Sequence, residues 1–443
     1  MKKIYCIGIG WIGVSALARY YLSEWYDVFW SDSTQSELID SLIAEGCNII
    51  YGEESSRINT SFEKIIHTEA IPESQSELKK SRELWLKTQK YSEALAELVN
   101  KYKLIAVAGT HGKSTTTSMI SQLLLRSEED FISIVGTVLK EFWGKNFFKR
   151  WSVKNYAVIE ACEYKKHFLA YKPLVAIITN IEYDHADYFK SYADYTNAFE
   201  EFINNIRPWG FCILWEDMNS TSLIWMRQDI HYIQLKWEYF LHNEKKYKIP
   251  DLEIKIPWEH IRYDAKLTYI AWYLLWISDN KILKSLASYS GVWRRMEHIW
   301  VTEYGNLLMS DYGHHPSEIQ VTLEALKKWY TDKKLVVIFQ PHQYSRTLEL
   351  LEWFKNCFSN ADTVIIPNIY ASRDTEEDIK KISAESLSKS IVHPDVIFSN
   401  WFKNTLIILQ EYERKYPNSS IILLQWAGDI DTLRYHISTK KAL

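Results

Sequence analysis

"LIAVAGTHGKSTTTSMISQLLL", residues 104–125, runs from an apolar strand through a glycine-containing turn into a helical pattern. A turn of this kind aims backbone N–H groups and the positive end of a helix at a phosphate group. Lys113 adds positive charge for the β and γ phosphate oxygens, and Ser114 offers a hydroxyl to Mg²⁺. The segment therefore predicts a loop that binds a nucleoside triphosphate, made of Gly109, Thr110, His111, Gly112, Lys113, Ser114 and Thr115.

This loop departs from the general Gly-x4-Gly-Lys-Ser/Thr form, because Val107 stands where the first glycine belongs. The alternative is an ordinary glycine-containing turn between a strand and a helix. A lysine, a serine and three threonines at the start of the helix, residues 113–117, favour phosphate binding.

Short β-rich apolar runs alternate with helical patterns along the whole chain, which is typical of parallel α/β sheets. The alternation starts again near residue 100 and near residue 299. We therefore predict three α/β domains, spanning residues 1–99, 100–298 and 299–443.

A second glycine-rich loop, in "IGIGWIGVSALA" at residues 7–18, follows the first apolar strand and opens a helical pattern. Gly8, Gly10 and Gly13 have the spacing of a dinucleotide fingerprint, which would favour an NAD(P)-dependent oxidoreductase. Trp11 does not fit a loop in which the backbone must approach a diphosphate closely.

Polar residues follow two strands predicted after the nucleotide loop. Glu160 lies in "EACE" and His185 ends "TNIEYDH". Ligands of open α/β sheets bind at the carboxyl ends of the strands, so both side chains could join Lys113 at one metal-phosphate site. A carboxylate suits Mg²⁺ and an imidazole is a less usual ligand, so a hydrogen-bonded structural histidine is the alternative for His185. Cys162 is most simply a buried small hydrophobic residue.

Two His/Tyr/Arg clusters follow strands of the third predicted domain and would form an anion-binding wall. Arg346 suits a carboxylate. Zinc binding is the rival interpretation, but adjacent histidines on a strand point apart and no Cys or Glu completes a ligand set. The clusters comprise Asp311, Tyr312, His314 and His315 in "DYGHHPSEI", and His342, Tyr344 and Arg346 in "FQPHQYSRT".

The composition of the chain limits the classes of binding partner that we expect. The 52 Lys and Arg against 56 Asp and Glu give a net charge of −4, so no basic field favours nucleic acid or an anionic membrane. Five scattered cysteines are typical of reduced thiols in a cytoplasmic protein. No apolar run reaches the roughly 18 residues of a membrane span. We expect a cytoplasmic protein with small-molecule partners.

Taken together, the motifs resemble those of the Mur ligases, and the resemblance covers nearly the whole chain. It is carried by "IGIGWIGVSALA", "GTHGKSTTT", "EACE", "TNIEYDH", "GVWRRMEH", "DYGHHPSEI" and "FQPHQYSRT". It implies a Rossmann-like UDP-sugar-binding domain, a central P-loop ATPase domain with a mostly parallel sheet, and a Rossmann-like C-terminal domain that binds the amino acid.

The implied reaction joins L-alanine to the carboxylate of UDP-N-acetylmuramate with ATP, through an acyl phosphate, in peptidoglycan synthesis. The form of "FQPHQYSRT" favours this reaction over the reattachment of whole peptides during cell-wall recycling. The alternatives are an oxidoreductase and a nucleotide-binding module that catalyses no reaction. The nucleotide loop argues against the first, and Glu160, His185 and Arg346 together argue against the second.

The resemblance also implies roles for individual residues. Lys113 would hold the β and γ phosphates, with Ser114 and Glu160 at Mg²⁺ and His185 at the second metal position. Arg294 and Arg295 would lie near the phosphates, and His260 and Asp264 near ATP, although Ile261 and Asp264 replace the amides usual at the adenine. The diphosphate of the UDP-sugar would lie at Gly8, Gly10, Trp11, Ile12 and Gly13, with Asp32 at the uridine. The amino acid would lie near Tyr312, His314, His342 and Arg346, where Gln343 replaces a usual arginine.

Tryptophan is in excess where glycine is scarce. The chain has 14 Gly and 19 Trp, whereas about 7% glycine is usual, or roughly 31 residues in a chain of this length. Some bacterial lineages read the UGA codon as glycine, and other translation tables read it as tryptophan. We therefore predict that part of the tryptophan is decoded glycine, at positions where the resemblance to Mur ligases implies glycine: Trp11, Trp30, Trp209, Trp258, Trp276, Trp293 and Trp426.

Overall fold

Three β-sheets organise the chain in a computed structural model. The structure describes residues 2–9, 12–32, 36–68, 71–150, 156–185, 188–215, 227–254, 256, 259–275, 278–289, 291–371, 374–426 and 428–438. The chain forms two compact units, the first made of residues 1–184 and 188–290 and the second of residues 185–187 and 291–443.

The first sheet is parallel and has the strand order β3-β2-β1-β4-β5. The order reverses between β1 and β4, which is where open α/β sheets bind ligands. Its elements are β1 (Lys3–Ile7), α1 (Ile12–Ser23), β2 (Asp27–Asp32), α2 (Glu37–Ala44), β3 (Asn48–Tyr51), β4 (Phe62–His67), α3 (Ser76–Glu83), β5 (Lys87–Lys90) and α4 (Tyr91–Val99).

The second sheet has the order β14-β13-β12-β11-β10-β6-β9-β7-β8. The pairs β7–β8, β12–β13 and β13–β14 are antiparallel, and the other pairs are parallel. The strand β6 that precedes the nucleotide loop lies inside the sheet, with apolar residues buried on both faces. Its elements are β6 (Lys103–Ala108), α5 (Lys113–Arg126), β7 (Phe131–Leu139), β8 (Lys145–Lys149), β9 (Tyr156–Glu160), β10 (Val175–Ile178), α6 (Tyr192–Asn204), β11 (Phe211–Trp215), β12 (His231–Leu235), β13 (Tyr239–His242), β14 (Lys245–Lys248), α7 (Glu259–Leu274) and α8 (Asp279–Ala287).

The third sheet belongs to the second unit and has the order β15-β16-β20-β17-β18-β19, with only β15 antiparallel among these described strands. Its elements are β15 (Glu297–Val301), β16 (Leu307–Asp311), α9 (Pro316–Trp329), β17 (Lys334–Gln340), α10 (Tyr344–Glu349), α11 (Leu351–Phe354), β18 (Thr363–Ile366), α12 (Glu376–Lys381), α13 (Ala384–Ser390), β19 (Val396–Phe398), α14 (Phe402–Lys415) and β20 (Ser420–Trp426). The predicted three-domain α/β fold is confirmed.

Within the first unit, α1 packs against β7 and β8 of the second sheet. The buried Arg19 fixes this contact: it forms an ion pair with Glu45 at 2.9 Å and donates a hydrogen bond to Asn146. Asn146 in turn donates to the carbonyl of Ile12, the first residue of α1. The start of α1, where the N-terminal glycine loop ends, is therefore fixed by a residue of the central sheet.

Among the described residues, no helix is both long enough and apolar enough to cross a membrane.

Candidate active site

The nucleotide loop has backbone geometry that requires its glycines. Gly109 has φ +130°, and a Cβ there would lie 2.1 Å from Oγ1 of Thr179. Gly112 caps α5 with φ +79°, a left-handed conformation. Both positions exclude side chains, so the loop can follow its tight path between β6 and α5 and direct the N-terminus of α5 outward.

Lys113, the first residue of α5, is held at the base of this loop. Its ammonium donates to the carbonyls of Gly109 and Thr110, and forms an ion pair with the buried carboxylate of Glu163 at 3.1 Å. Burial disfavours the charged ammonium, but the charge and hydrogen bond of Glu163, together with the nearby Cys162 and Glu160, outweigh that effect and raise the pKa of Lys113. The lysine therefore carries a full positive charge beside the loop.

Ser114, the second residue of α5, meets Glu160 at the end of β9. The Ser114 hydroxyl donates to Oε2 of Glu160 at 3.0 Å, and the backbone N–H of Gly136 donates to Oε1 at 2.5 Å. A Cβ at Gly136 would lie 2.7 Å from Oε2 of Glu160, so a side chain there would have to displace the Glu160 carboxylate. A hydroxyl beside a carboxylate, next to a phosphate loop, is a donor set that fits Mg²⁺.

A second set of hydrogen bonds ties the loop to the end of β10. Oγ1 of Thr110 contacts the Tyr195 hydroxyl at 2.9 Å and donates to the carbonyl of Glu182 at 2.8 Å. The N–H of His111 donates to the side chain of Asn180 at 2.9 Å. These bonds fix the loop between two neighbouring parallel strands.

The helix α7 also lies against the loop. A Cβ on Gly112 would lie 2.6 Å from Oδ1 of the buried Asp264, and the Tyr263 hydroxyl donates to the carbonyl of Thr179 at 3.0 Å. His260 lies in the first turn of the same helix, one turn before Asp264. The predicted ATP-binding residues of α7 are therefore on the element that faces the phosphate loop.

The N-terminal glycine loop is described on both sides of Gly10 and Trp11, which lie outside the described residues. Gly8 has φ +78°, and a Cβ there would lie 2.4 Å from Cγ2 of Thr68. A Cβ at Gly13 would lie 2.7 Å from the ring of Tyr91. Asp32 ends β2 and is partly exposed, at the same edge of the sheet as Gly8.

A cavity of about 430 Å³ opens beside this loop, within the first unit. Ile71, which borders the space next to Gly8, also lines the cavity. Three lysines face it against two glutamates, so it suits an anionic group. The polar lining consists of His67, Glu73, Lys90, Ser92, Glu93, Lys165, Lys166 and His167.

In the second unit, two of the predicted histidines come together at the ends of β16 and β17. The rings of His314 and His342 have centroids 6.1 Å apart, and His314 lies edge-on to Tyr312 at 5.5 Å. The guanidinium of Arg295 lies 5.2 Å from the centre of the Tyr312 ring. These four side chains form one partly exposed wall of aromatic and basic groups.

The neighbours of this wall have structural roles. His315 is buried and caps α9, because its Nδ1 accepts a hydrogen bond from the N–H of Ser317. Asp311 is buried and accepts from the N–H groups of Met296 and Gly313; burial raises the pKa of its carboxyl. Adjacent His314 and His315 thus serve different purposes, as expected for neighbouring residues that point apart.

Arg294 lies in the second unit, with its guanidinium 3.5 Å from the centre of the Trp293 ring and 3.2 Å from Asp431. Arg346 lies in α10, which begins after Gln343 at φ +68°. His185 also groups with the second unit. The structure therefore brings Lys113, Ser114 and Glu160 together in the first unit. It brings His314 and His342 together in the second unit.

Comparison with known proteins identifies the family along the chain. Residues 3–103 match "Mur ligase family, catalytic domain", residues 107–257 match "Mur ligase middle domain", and residues 294–406 match "Mur ligase, glutamate ligase domain". The chain belongs to the Mur ligase family.

Similarity to individual Mur ligases extends over nearly the full length. A UDP-N-acetylmuramate--L-alanine ligase of Clostridium acetobutylicum is 33% identical, over 97% of this chain and 96% of the relative. The solved structure of UDP-N-acetylmuramate-alanine ligase from Thermotoga maritima has a TM-score of 0.77 at 22% identity, covering 98% of this chain and 99% of that one. A murein peptide ligase from Psychrobacter arcticus has a TM-score of 0.72 at 20% identity, covering 98% of both chains.

Reasoning from the sequence missed several residues of this Mur ligase site. Glu163 and Asn180 lie inside the quoted motifs "EACE" and "TNIEYDH", so a signal for them was present. Tyr195 lies in α6, outside every motif, and only the fold brings its hydroxyl to Thr110. The lysines of the cavity are likewise distant in sequence from the N-terminal glycine loop.

Proposed function

We propose that this Mur ligase joins L-alanine to the carboxylate of UDP-N-acetylmuramate with ATP, as a step of peptidoglycan biosynthesis. The observation that carries the proposal is the nucleotide loop with Lys113 and the Ser114–Glu160 pair, in a chain that aligns end to end with L-alanine ligases. The reaction is an acid–amino-acid ligation through an acyl phosphate.

The γ-phosphoryl group of ATP passes to the muramate carboxylate, and the alanine amine then attacks the acyl phosphate and expels phosphate. We assign Lys113 to the transferring phosphoryl group, and Gly109 to Thr115 to the phosphates of ATP. Ser114 and Glu160 would hold Mg²⁺, with His185 at the second metal position, and the metal would supply charge neutralisation at the phosphates when bound. His260 and Asp264 would contact ATP.

The UDP-sugar belongs at the N-terminal sheet. We assign its diphosphate to the loop of Gly8, Gly10, Trp11, Ile12 and Gly13, and its uridine to Asp32. The basic cavity beside Gly8 supports this assignment, since its lysines suit a diphosphate.

L-Alanine belongs at the histidine wall of the second unit. We assign Tyr312, His314, His342 and Arg346 to the amino acid, and Arg294 and Arg295 to phosphate groups. ATP and UDP-sugars are cytoplasmic metabolites, and all five cysteines are free thiols, so we place the reaction in the cytoplasm.

The test is an assay of phosphate release from ATP with each substrate left out in turn. Release that requires both UDP-N-acetylmuramate and L-alanine is the expected result. A preference for a muramoyl peptide over L-alanine would indicate a recycling ligase, and hydride transfer from NAD(P)H without ATP would indicate an oxidoreductase. Phosphate release independent of both substrates would contradict the proposal.

Glu163→Gln removes the negative charge beside Lys113 while keeping the size of the side chain. Breaking a buried ion pair leaves an uncompensated charge, so we expect the free energy of unfolding to fall by about 3 kcal/mol. ATP should raise the melting temperature more in this variant than in the unaltered protein, because its phosphates replace the lost charge.

Glu201→Gln is the matched control, since Glu201 pairs with Lys166 at 2.7 Å on the surface of the same unit. Exposed pairs contribute about 0–1 kcal/mol, so little change is expected. Equal melting temperatures for both variants would show that Glu163 does not support Lys113.

Arg346→Ala should mainly raise the KM for L-alanine. Arg346 is assigned to the carboxylate of the amino acid, which does not react, so its loss removes binding that the ground state and the transition state share. Steady-state kinetics with varied L-alanine measure this. An unchanged KM for L-alanine would remove Arg346 from the amino-acid site.

A further inference from the structure

Five described tryptophans have a left-handed backbone. Their φ angles are +63° at Trp25, +55° at Trp85, +55° at Trp143, +63° at Trp209 and +97° at Trp401. A side chain clashes with the backbone in this region, so glycine is the usual residue there, and a bulky residue is a strong outlier.

Two of these tryptophans occupy the glycine position of a Schellman motif, the turn that ends many helices. After α1, the N–H of Trp25 donates to Leu22 and the N–H of Tyr26 donates to Tyr21, each at 3.1 Å. After α3, Trp85 and Leu86 make the same two bonds to Arg82 and Ser81, at 3.0 Å each. This pattern places Trp25 and Trp85 at the position after the helix cap, where glycine is strongly enriched.

The chain contains its own matched example after α2. Gly46, with φ +104°, and Cys47 donate the same pair of bonds to Ile43 and Leu42, at 3.0 Å each. Three consecutive helices of one domain thus end in the same turn, once with glycine and twice with tryptophan.

Trp401 is the most extreme case. It precedes α14 with φ +97° and ψ +156°. This combination lies in a region that is essentially restricted to glycine.

Packing does not offset the backbone strain at these positions. The exposed fractions of the five side chains are 75% for Trp25, 93% for Trp85, 77% for Trp143, 73% for Trp209 and 64% for Trp401. An indole that remains mostly in water gains little from burial. Trp143 has a ring contact with Phe148, with centroids 6.2 Å apart, but its indole is still mostly exposed, and the backbone geometry of all five positions favours glycine.

We infer that the protein carries glycine at positions 25, 85, 143, 209 and 401 in the cells that express its gene, because the codon UGA is read there as glycine. The backbone selects a different set from the one predicted on the sequence, and the two share only Trp209. Trp30 and Trp293 do not have positive φ, and Trp426 lies in β20. Trp11, Trp258 and Trp276 lie outside the described residues.

The deciding experiment reads the five codons in the gene and the masses of the corresponding peptides from the protein isolated from its own cells. UGA codons with glycine-containing peptides are expected at all five positions. UGG codons, or tryptophan in the peptides whatever the codon, would overturn the inference.

A second experiment tests the physical basis with recombinant protein. Trp25 and Trp85 are each replaced by Gly and by Ala, so that both variants lose the indole and only Ala retains a Cβ. The Gly variants should melt higher than the Ala variants, by about 2–4 °C per site.

Val321 is the control, because it is also exposed but lies inside α9. Ala is a better helix former than Gly, so the order should reverse there, with the Ala variant melting higher. Gly46→Ala should lower the melting temperature. The size of this decrease should equal the difference in melting temperature between the Gly and Ala variants at Trp25. Equal melting of the Gly and Ala variants at Trp25 and Trp85 would show that these turns do not require glycine.

Discussion

Lys113→Ala should strongly reduce ligase turnover while leaving the protein folded. The ammonium lies beside the nucleotide loop and is charged, and in the proposed reaction it would meet the transferring phosphoryl group, whose charge rearranges during transfer. An interaction that strengthens in the transition state contributes to kcat, and losing one such group lowers kcat by about 10²–10³-fold. Phosphate release at saturating ATP, UDP-N-acetylmuramate and L-alanine measures the effect.

Lys140→Ala is the control, because it removes the same positive charge and the same side-chain atoms from an exposed lysine of the same unit. It should retain the activity of the unaltered protein. A kcat for Lys113→Ala within a few-fold of this control would remove Lys113 from the phosphoryl-transfer step.

The parts of the site that could be predicted are those in which sequence neighbours act together. The strand, turn and helix around Gly109–Ser114 form one continuous segment, so spacing and residue type were sufficient. Glu160 could be predicted because it ends an apolar strand, and parallel strands end at one edge of a sheet.

The parts that could not be predicted depend on tertiary contacts. The pairing of Glu163 with Lys113 and of Tyr195 with Thr110 joins residues that are 50 and 85 positions apart. The periodicity of apolar residues in the sequence does not indicate such pairs. In the same way, only the fold distinguishes the buried His315, which caps α9, from the neighbouring, partly exposed His314.

The tryptophans illustrate a different limit. Resemblance indicated positions where relatives carry glycine, whereas the backbone indicates positions where glycine is physically required. Trp25 and Trp85 follow helices whose ends the sequence marks poorly, because the usual mark of a helix end is the missing glycine itself.

Gly109→Ala should be the most damaging single-methyl change in the nucleotide loop. The added Cβ would lie 2.1 Å from Oγ1 of Thr179 and 2.9 Å from the carbonyl oxygen of Asn180. A side chain can rotate away, but the backbone of β10 and the loop after it cannot move without disturbing the sheet. Together with the strain at φ +130°, we expect a loss of about 2–4 kcal/mol in the free energy of unfolding.

The same change should also lower kcat and raise the KM for ATP, because any shift of Gly109 moves the carbonyl that holds Lys113. Gly52→Ala separates backbone strain from the clash: Gly52 has φ +85°, and a Cβ there meets nothing within 4 Å. That variant should lose only about 1 kcal/mol and retain full activity. Urea unfolding midpoints and ATP kinetics of the two variants measure both effects. An equal decrease in the free energy of unfolding for Gly109→Ala and Gly52→Ala would mean that the loop moves to accommodate the methyl group. Contact with the end of β10 would then not fix the position of the loop.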